Sequence, residues 1–125
     1  MKSERKYNLE DRLIEFAIMI SEVCDKIPGT RLGNQIGSQL IRSGTSPALN
    51  YGEALGSEST RDFIHKLKIV LKELRESFIC LKIIQKKPLV KCPGDIQAVF
   101  KETDELIAIF VKSIDTAKKN MAKNT

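Results

Sequence analysis

Four stretches of this chain repeat apolar residues every three to four positions, and no stretch alternates apolar and polar residues with a period of two. That pattern restricts the fold to helices packed through one apolar face each. The spacing predicts helices over about 9–26, 31–55, 60–87 and 95–122 in a single domain spanning 1–125. In the first, Asn8 stands as N-cap and Glu10 and Asp11 favour the positive end of the helix dipole. Its stripe runs through Leu9, Leu13, Phe16/Ala17, Ile20, Val23/Cys24 and Ile27 before Pro28-Gly29 ends it and Thr30 caps the next. The second presents Gly33, Ile36/Gly37, Leu40/Ile41, Gly44, Ala48, Tyr51 and Leu55 inward. Glycine inside a helix costs about 1 kcal/mol against alanine, so these glycines are expected where a neighbouring helix comes close. Pro47 removes a backbone donor, which either kinks the helix near Ser43–Ser46 or breaks it in two.

The third helix starts at Ser59-Thr60-Arg61-Asp62, a capping box with Asp in place of Glu, and Pro88 stops it. Phe63, Leu67, Val70/Leu71, Leu74, Phe78 and Leu81 make its core stripe. In the fourth the stripe is Ile96, Val99/Phe100, Leu106/Ile107, Phe110, Ile114 and Ala117, and the polar residues 118–125 are expected to fray. Four amphipathic helices with short connections read as an all-α, up-down-up-down four-helix bundle.

Several functions are disfavoured at once. No apolar run approaches the roughly 18–20 residues that span a bilayer, and the charged start Met1–Lys6 is unlike a signal peptide. Cys24, Cys80 and Cys92 are odd in number and lack C-x-x-C spacing, and there is one histidine, so neither a disulfide framework nor a metal site is expected. No cofactor is expected either, and a reducing cytoplasm is the default compartment. Cys24 and Cys80 fall in helices and are expected to be buried or interfacial, whereas Cys92 falls in a loop and could be reactive. His65 has no nucleophile or metal-binding companion, and its R-x-x-x-H spacing from Arg61 is shorter than the Arg–His pair of helical toxin ribonucleases. A phosphate-binding loop is missing as well, because no strand–turn–helix context or P-loop lysine accompanies the glycines. The chain reads as a non-enzyme.

The net charge of +5 is unevenly placed: residues 59–88 alone carry eight basic and three acidic groups. At about 100° per residue, Arg61, Lys68, Lys72, Arg75, Lys82 and Lys86 fall on one stripe, roughly 120° from the core face. Such a stripe fits a phosphate backbone, each cation displacing a counterion, or it is simply a solvated face. No aromatic side chains interleave it for base stacking. A further face of the third helix mixes Ile69, Cys80, Ile83 and Ile84 with Asp62, Lys66, Glu73 and Glu76, which favours a protein–protein surface over scattered exposed apolar residues. On the second helix Gln35, Gln39, Arg42, Ser46, Asn50 and Glu53 line up, seeking partners on another helix or subunit unless the face is merely solvated.

The junction of helices two and three is more specific. Gln39-Leu40-Ile41-Arg42-Ser43-Gly44-Thr45-Ser46-Pro47-Ala48-Leu49-Asn50-Tyr51-Gly52-Glu53-Ala54 is followed by Asp62-Phe63-Ile64-His65-Lys66-Leu67 and then Leu71-Lys72-Glu73-Leu74-Arg75-Glu76-Ser77. These strings closely resemble the bacterial four-helix-bundle proteins encoded by intervening sequences inside 23S ribosomal RNA genes, a family sometimes labelled ribosomal. The resemblance covers nearly the whole chain and is sharpest between Gln39 and Leu81. It implies a left-handed up-down bundle that assembles into a ring-shaped homo-oligomer, typically a pentamer. The accessory variability protein of diversity-generating retroelements is similar, a basic ring that binds nucleic acid and a reverse transcriptase. By the resemblance, the motif and oligomer-interface residues are Arg42, Ser43, Ser46, Asn50, Glu53, Asp62, Lys66, Glu73 and Glu76. Family members usually carry a small residue or a hydrophobe at Pro47 and often alanine at Gly44 and Gly52, so the straightness of helix two is where this chain departs.

Together these readings lead to a cytoplasmic, non-enzymatic, ring-forming bundle that binds structured RNA or DNA through the basic stripe, without contact to a membrane. The rival is an oligomeric adaptor for another protein, with the stripe only keeping it soluble.

Overall fold

Three helices begin on a side-chain oxygen supplied by the preceding residue. Asn8 accepts from the Asp11 amide at 3.1 Å to start α1 (Leu9–Asp25), and Thr30 accepts from the Gly33 amide at 3.0 Å to start α2 (Arg31–Leu55). Ser59 accepts from the Asp62 amide at 3.1 Å to start α3 (Thr60–Lys86). Each cap satisfies a donor that the first helical turn cannot, typically stabilising by about 1 kcal/mol. The last helix, α4 (Pro93–Lys123), opens on proline, whose missing donor has no intrahelical partner at that position anyway. The computed structural model describes residues 8–91 and 93–123; the loop reading of Cys92, the reading of Met1–Lys6 and the end of the polar tail lie outside them. α4 begins two residues before the expected start, and it remains helical to Lys123 instead of fraying from Lys118.

Cross-helix pairs define the topology. Cys24 lies against Gly37 while Glu10 lies near Gly52, so α1 and α2 run antiparallel. Ser43 meets Ser77 and Glu53 meets Lys66, which does the same for α2 and α3. Lys26 pairs with Asp95 and Arg12 with Glu102, closing α4 back onto α1. This is the expected up-down-up-down bundle, all-α throughout the described residues. No described helix is long and apolar enough to cross a membrane.

The core is built from Leu13, Phe16, Ile20 and Val23 of α1, Ile36, Leu40 and Ala54 of α2, Leu67, Val70, Leu74 and Leu81 of α3, and Leu106, Phe110 and Ile114 of α4. Each large apolar side chain removed from water contributes roughly 1.5–3 kcal/mol. Helix α3 contacts both α2 and α4, so its apolar arc is wider than a single stripe. Ile64, Cys80 and Ile84 are therefore buried inside the bundle and Glu73 with them. This corrects the reading of that face as a docking surface: Cys80, Ile84 and Glu73 are interior and Ile69 and Ile83 only half-exposed. The exposed apolar side chain on α3 is Ile79.

Helix α2 is uninterrupted through buried Pro47, so the alternative of two helices does not hold. Its inward face differs from expectation in detail. Ser43, Pro47 and Ala54 are buried, whereas Ile41 and Leu55 reach solvent. Two glycines earn their place by close approach. A Cβ on Gly44 would lie 2.5 Å from Ile20 Cγ2, and one on Gly33 would lie 2.1 Å from the Pro28 carbonyl oxygen. Gly37 is different, with only Ile27 Cδ1 at 3.9 Å.

Candidate nucleic-acid interface

The stripe on α3 is real in three dimensions. Arg61, Lys68, Lys72, Arg75, Lys82 and Lys86 are all exposed, and none forms an ion pair with a described carboxylate. The residues span 61–86, roughly 37 Å at 1.5 Å per residue. Lys82 is held in place: its Nζ lies 4.8 Å above the Phe78 ring, and Phe78 stacks on Phe100 of α4 with centroids 4.6 Å apart. The stripe thus borders α4. At its amino-terminal end, Arg61, His65 and Lys68 share a concavity of about 260 Å³ with Ile64 and with Lys118 and Met121 of α4.

The motif residues do something else: most form a polar seam between α2 and α3. Arg42 donates through Nη1 to Glu73 Oε1 at 3.0 Å and through Nη2 to Gln39 Oε1 at 3.0 Å and to Glu76. Glu73 is 7% exposed, so its charge depends on Arg42, whereas Arg42 keeps half its side chain in water. Lys66 Nζ donates to Glu53 Oε1 at 2.5 Å. Beneath this seam the Ser43 and Ser77 hydroxyls bond at 2.8 Å. Ser46 and Asn50 pair within α2, the Asn50 amide donating to Ser46 Oγ at 2.8 Å and to the Ser46 carbonyl at 3.1 Å. Asp62 is exposed in the first turn of α3, where its carboxylate favours the helix dipole. The two charged residues of the polar face of α2, Arg42 and Glu53, therefore find their partners on α3 of the same chain, which fixes the rotation of α3 and the direction its stripe faces.

Three features carried no sequence signal. Arg12 is gripped by Glu102 through two bonds of 2.7 and 2.9 Å and by Glu105 at 2.7 Å, and the Glu102 hydrogen bond pushes its guanidinium further into the charged form. Buried Thr103 donates to the Val99 carbonyl at 2.7 Å, replacing an apolar residue on the core face of α4. Lys118 reaches the stripe from a helix 50 residues away, which no spacing within α3 announces.

The two described thiols, Cys24 and Cys80, are held in the protonated form. Burial, with Asp25 and Cys80 nearby, pushes Cys24 up to about 11, and burial also raises Cys80, where Glu76 adds and Arg42 subtracts. Both are free, Cys24 half-buried and Cys80 buried. Among the described residues no cluster of three His, Cys, Asp or Glu is arranged to hold a metal ion.

The family model described as 23S rRNA-intervening sequence protein matches residues 5–112. A 1.70 Å crystal structure of a protein of unknown function from the S23 ribosomal protein family of Bacteroides thetaiotaomicron is similar, with a TM-score of 0.73 and 27% identity. That match covers 85% of this chain and 97% of the other. No curated protein matches in sequence.

Proposed function

The chain belongs to the 23S rRNA-intervening sequence protein family, and from that premise we propose that it is a cytoplasmic, non-enzymatic, ring-forming homo-oligomer that binds structured RNA or DNA through backbone contacts. The observation that carries the reading is the α3 stripe: six exposed basic side chains with no carboxylate partner among the described residues. Its length of roughly 37 Å is close to one turn of a duplex, about 34–36 Å. Lys68, Lys72, Arg75, Lys82 and Lys86 contact phosphates, and sequence preference is low because no element reads base edges. The ring, a pentamer by family resemblance, gains apolar contact from Ile14, Ile18 and Leu49, which are exposed on α1 and α2. The Arg42, Glu53, Lys66, Glu73 and Glu76 seam holds the stripe outward.

The test is fluorescence anisotropy with a ribosomal RNA hairpin, a scrambled RNA and duplex DNA across a range of salt. Five or six phosphate contacts give a slope of log affinity against log salt near −4 to −6. Reversing Lys72, Arg75 and Lys82 to glutamate weakens all three ligands alike and leaves the oligomer mass unchanged in light scattering. Collapse of the oligomer would make the stripe an interface. Absence of binding at low salt, on a confirmed oligomer, removes the nucleic-acid reading. It then leaves an adaptor that uses apolar side chains outside the ring contact, the exposed Ile41, Leu55 and Ile79, with a protein partner that survives nuclease treatment in a pull-down.

A further inference from the structure

The concavity at the start of α3 differs in kind from the rest of the stripe. Arg61, His65 and Lys68 stand at i, i+4 and i+7, so one face of α3 presents all three, and Lys118 joins them from the last turns of α4. Three fixed cations and an imidazole thus surround about 260 Å³, and none of the four has a carboxylate partner among the described residues. The carboxylate nearest Lys118 in sequence on α4, Asp115, is engaged by Lys119 at 3.1 Å. Ile64 and Met121 make the lining apolar between the charges. Elsewhere along α3 the stripe offers isolated cations on a convex helix, suited to a singly charged diester. Here three cations line one half-open concavity, which suits the near-double charge of a phosphate monoester.

We infer that this concavity binds the terminal phosphate monoester of a nucleic-acid strand. Arg61, Lys68 and Lys118 hold the phosphate, His65 donates or accepts beside it, and the half-buried Met121 side chain packs against the adjoining sugar or base. The inference rests on the proposed nucleic-acid function for its strand, but the phosphate site can be tested without one.

His65 is the chain's one histidine, so its imidazole gives a single unambiguous NMR signal. Titrating the full chain with adenosine 5′-monophosphate or 3′-monophosphate shifts that signal saturably, and adenosine does not. Lys118→Gln weakens the titration by about two- to fivefold, as expected for losing one exposed charged contact, while Lys101→Gln, roughly 25 Å away along α4, leaves it unchanged. A second measurement uses single-stranded 12-mers with phosphate or hydroxyl at either end. One phosphorylated end binds about five- to tenfold tighter, the sum of three exposed contacts of a few tenths of a kcal/mol each, and which end it is separates 5′ from 3′ recognition. No saturable shift with either monophosphate, an equal shift with adenosine, or indifference to Lys118→Gln overturns the site. Equal affinity for all four strand ends, on protein that binds strands, overturns the terminal assignment. Monophosphate binding without any strand binding keeps the phosphate site and defeats the nucleic-acid function instead.

Discussion

The hydroxyls of Ser43 and Ser77 lie 2.8 Å apart across the α2–α3 seam, and both side chains are wholly excluded from water. Two small residues facing each other let the helix backbones approach, and each hydroxyl answers the other's need for a partner. The pair is unequal, because Ser43 Oγ also reaches the Leu40 carbonyl at 3.4 Å. Ser43→Ala strands the Ser77 hydroxyl and is expected to cost about 1–2 kcal/mol, and Ser77→Ala less than about 1. The double variant is expected to be no less stable than Ser43→Ala alone. Urea unfolding of the four proteins gives the cycle, and strictly additive losses would deny the bond its role.

Glycine substitution should divide by position. Gly44→Ala drives a methyl onto Ile20, with approaches of 2.5, 2.7 and 2.8 Å to three side-chain carbons, and the helices must part. The expected loss is about 1–3 kcal/mol. Gly37→Ala and Gly52→Ala meet nothing closer than 3.9 and 4.0 Å, so each gains about 0.5–1 kcal/mol from helix propensity. Thermal melts of the three single variants check the sign of each change, and a gain at Gly44 would show that Ile20 has room to move.

Helices, caps and most of the core were legible because a 3.6-residue period and Asn8, Thr30 and Ser59 are local signals. The basic stripe was equally legible, since one helix carries all six side chains. What could not be read was which helix faces which. The second apolar arc of α3, with Cys80 and Ile84, looks like a docking surface until the neighbouring elements are seen to bury it. Glu73 likewise reads as exposed until Arg42 is found above it. Lys118 is invisible for the same reason, because its partners Arg61 and Lys68 lie on a different helix. Periodicity reports how far a residue is from a core, and says nothing of the neighbour that completes it.

The two ion pairs of the seam are expected to differ in worth. Arg42→Ala leaves the Glu73 carboxylate, 7% exposed, without its partner. Breaking a fully buried pair costs about 3–5 kcal/mol, and the half-exposed guanidinium lowers this to roughly 1–3. Adding Glu73→Gln removes the stranded charge and recovers at least half of the loss. Lys66→Ala, whose partner Glu53 is exposed, costs no more than about 1 kcal/mol. Equal losses for Arg42→Ala and Lys66→Ala in denaturant unfolding would contradict this ranking.

Alkaline pH should weaken the fold through its thiols. Cys24 is pushed up to about 11, chiefly by burial and then by Asp25 and Cys80. An unfolded cysteine ionises near 8.5. Between about 9 and 11 the folded chain therefore keeps a proton that the unfolded chain releases, and stability falls as pH rises. Cys80 and Tyr51, also raised by burial, act in the same direction. Because Cys24 is only half-buried, its share is on the order of 1 kcal/mol after solvent screening. Comparing unfolding at pH 8 and pH 10.5 in a Cys92→Ser background, Cys24→Ala is expected to lose less stability than its parent. Lysine deprotonation affects both chains alike and cancels in that comparison. An identical pH dependence in the two proteins would mean that Cys24 ionises in the folded chain as freely as in the unfolded one.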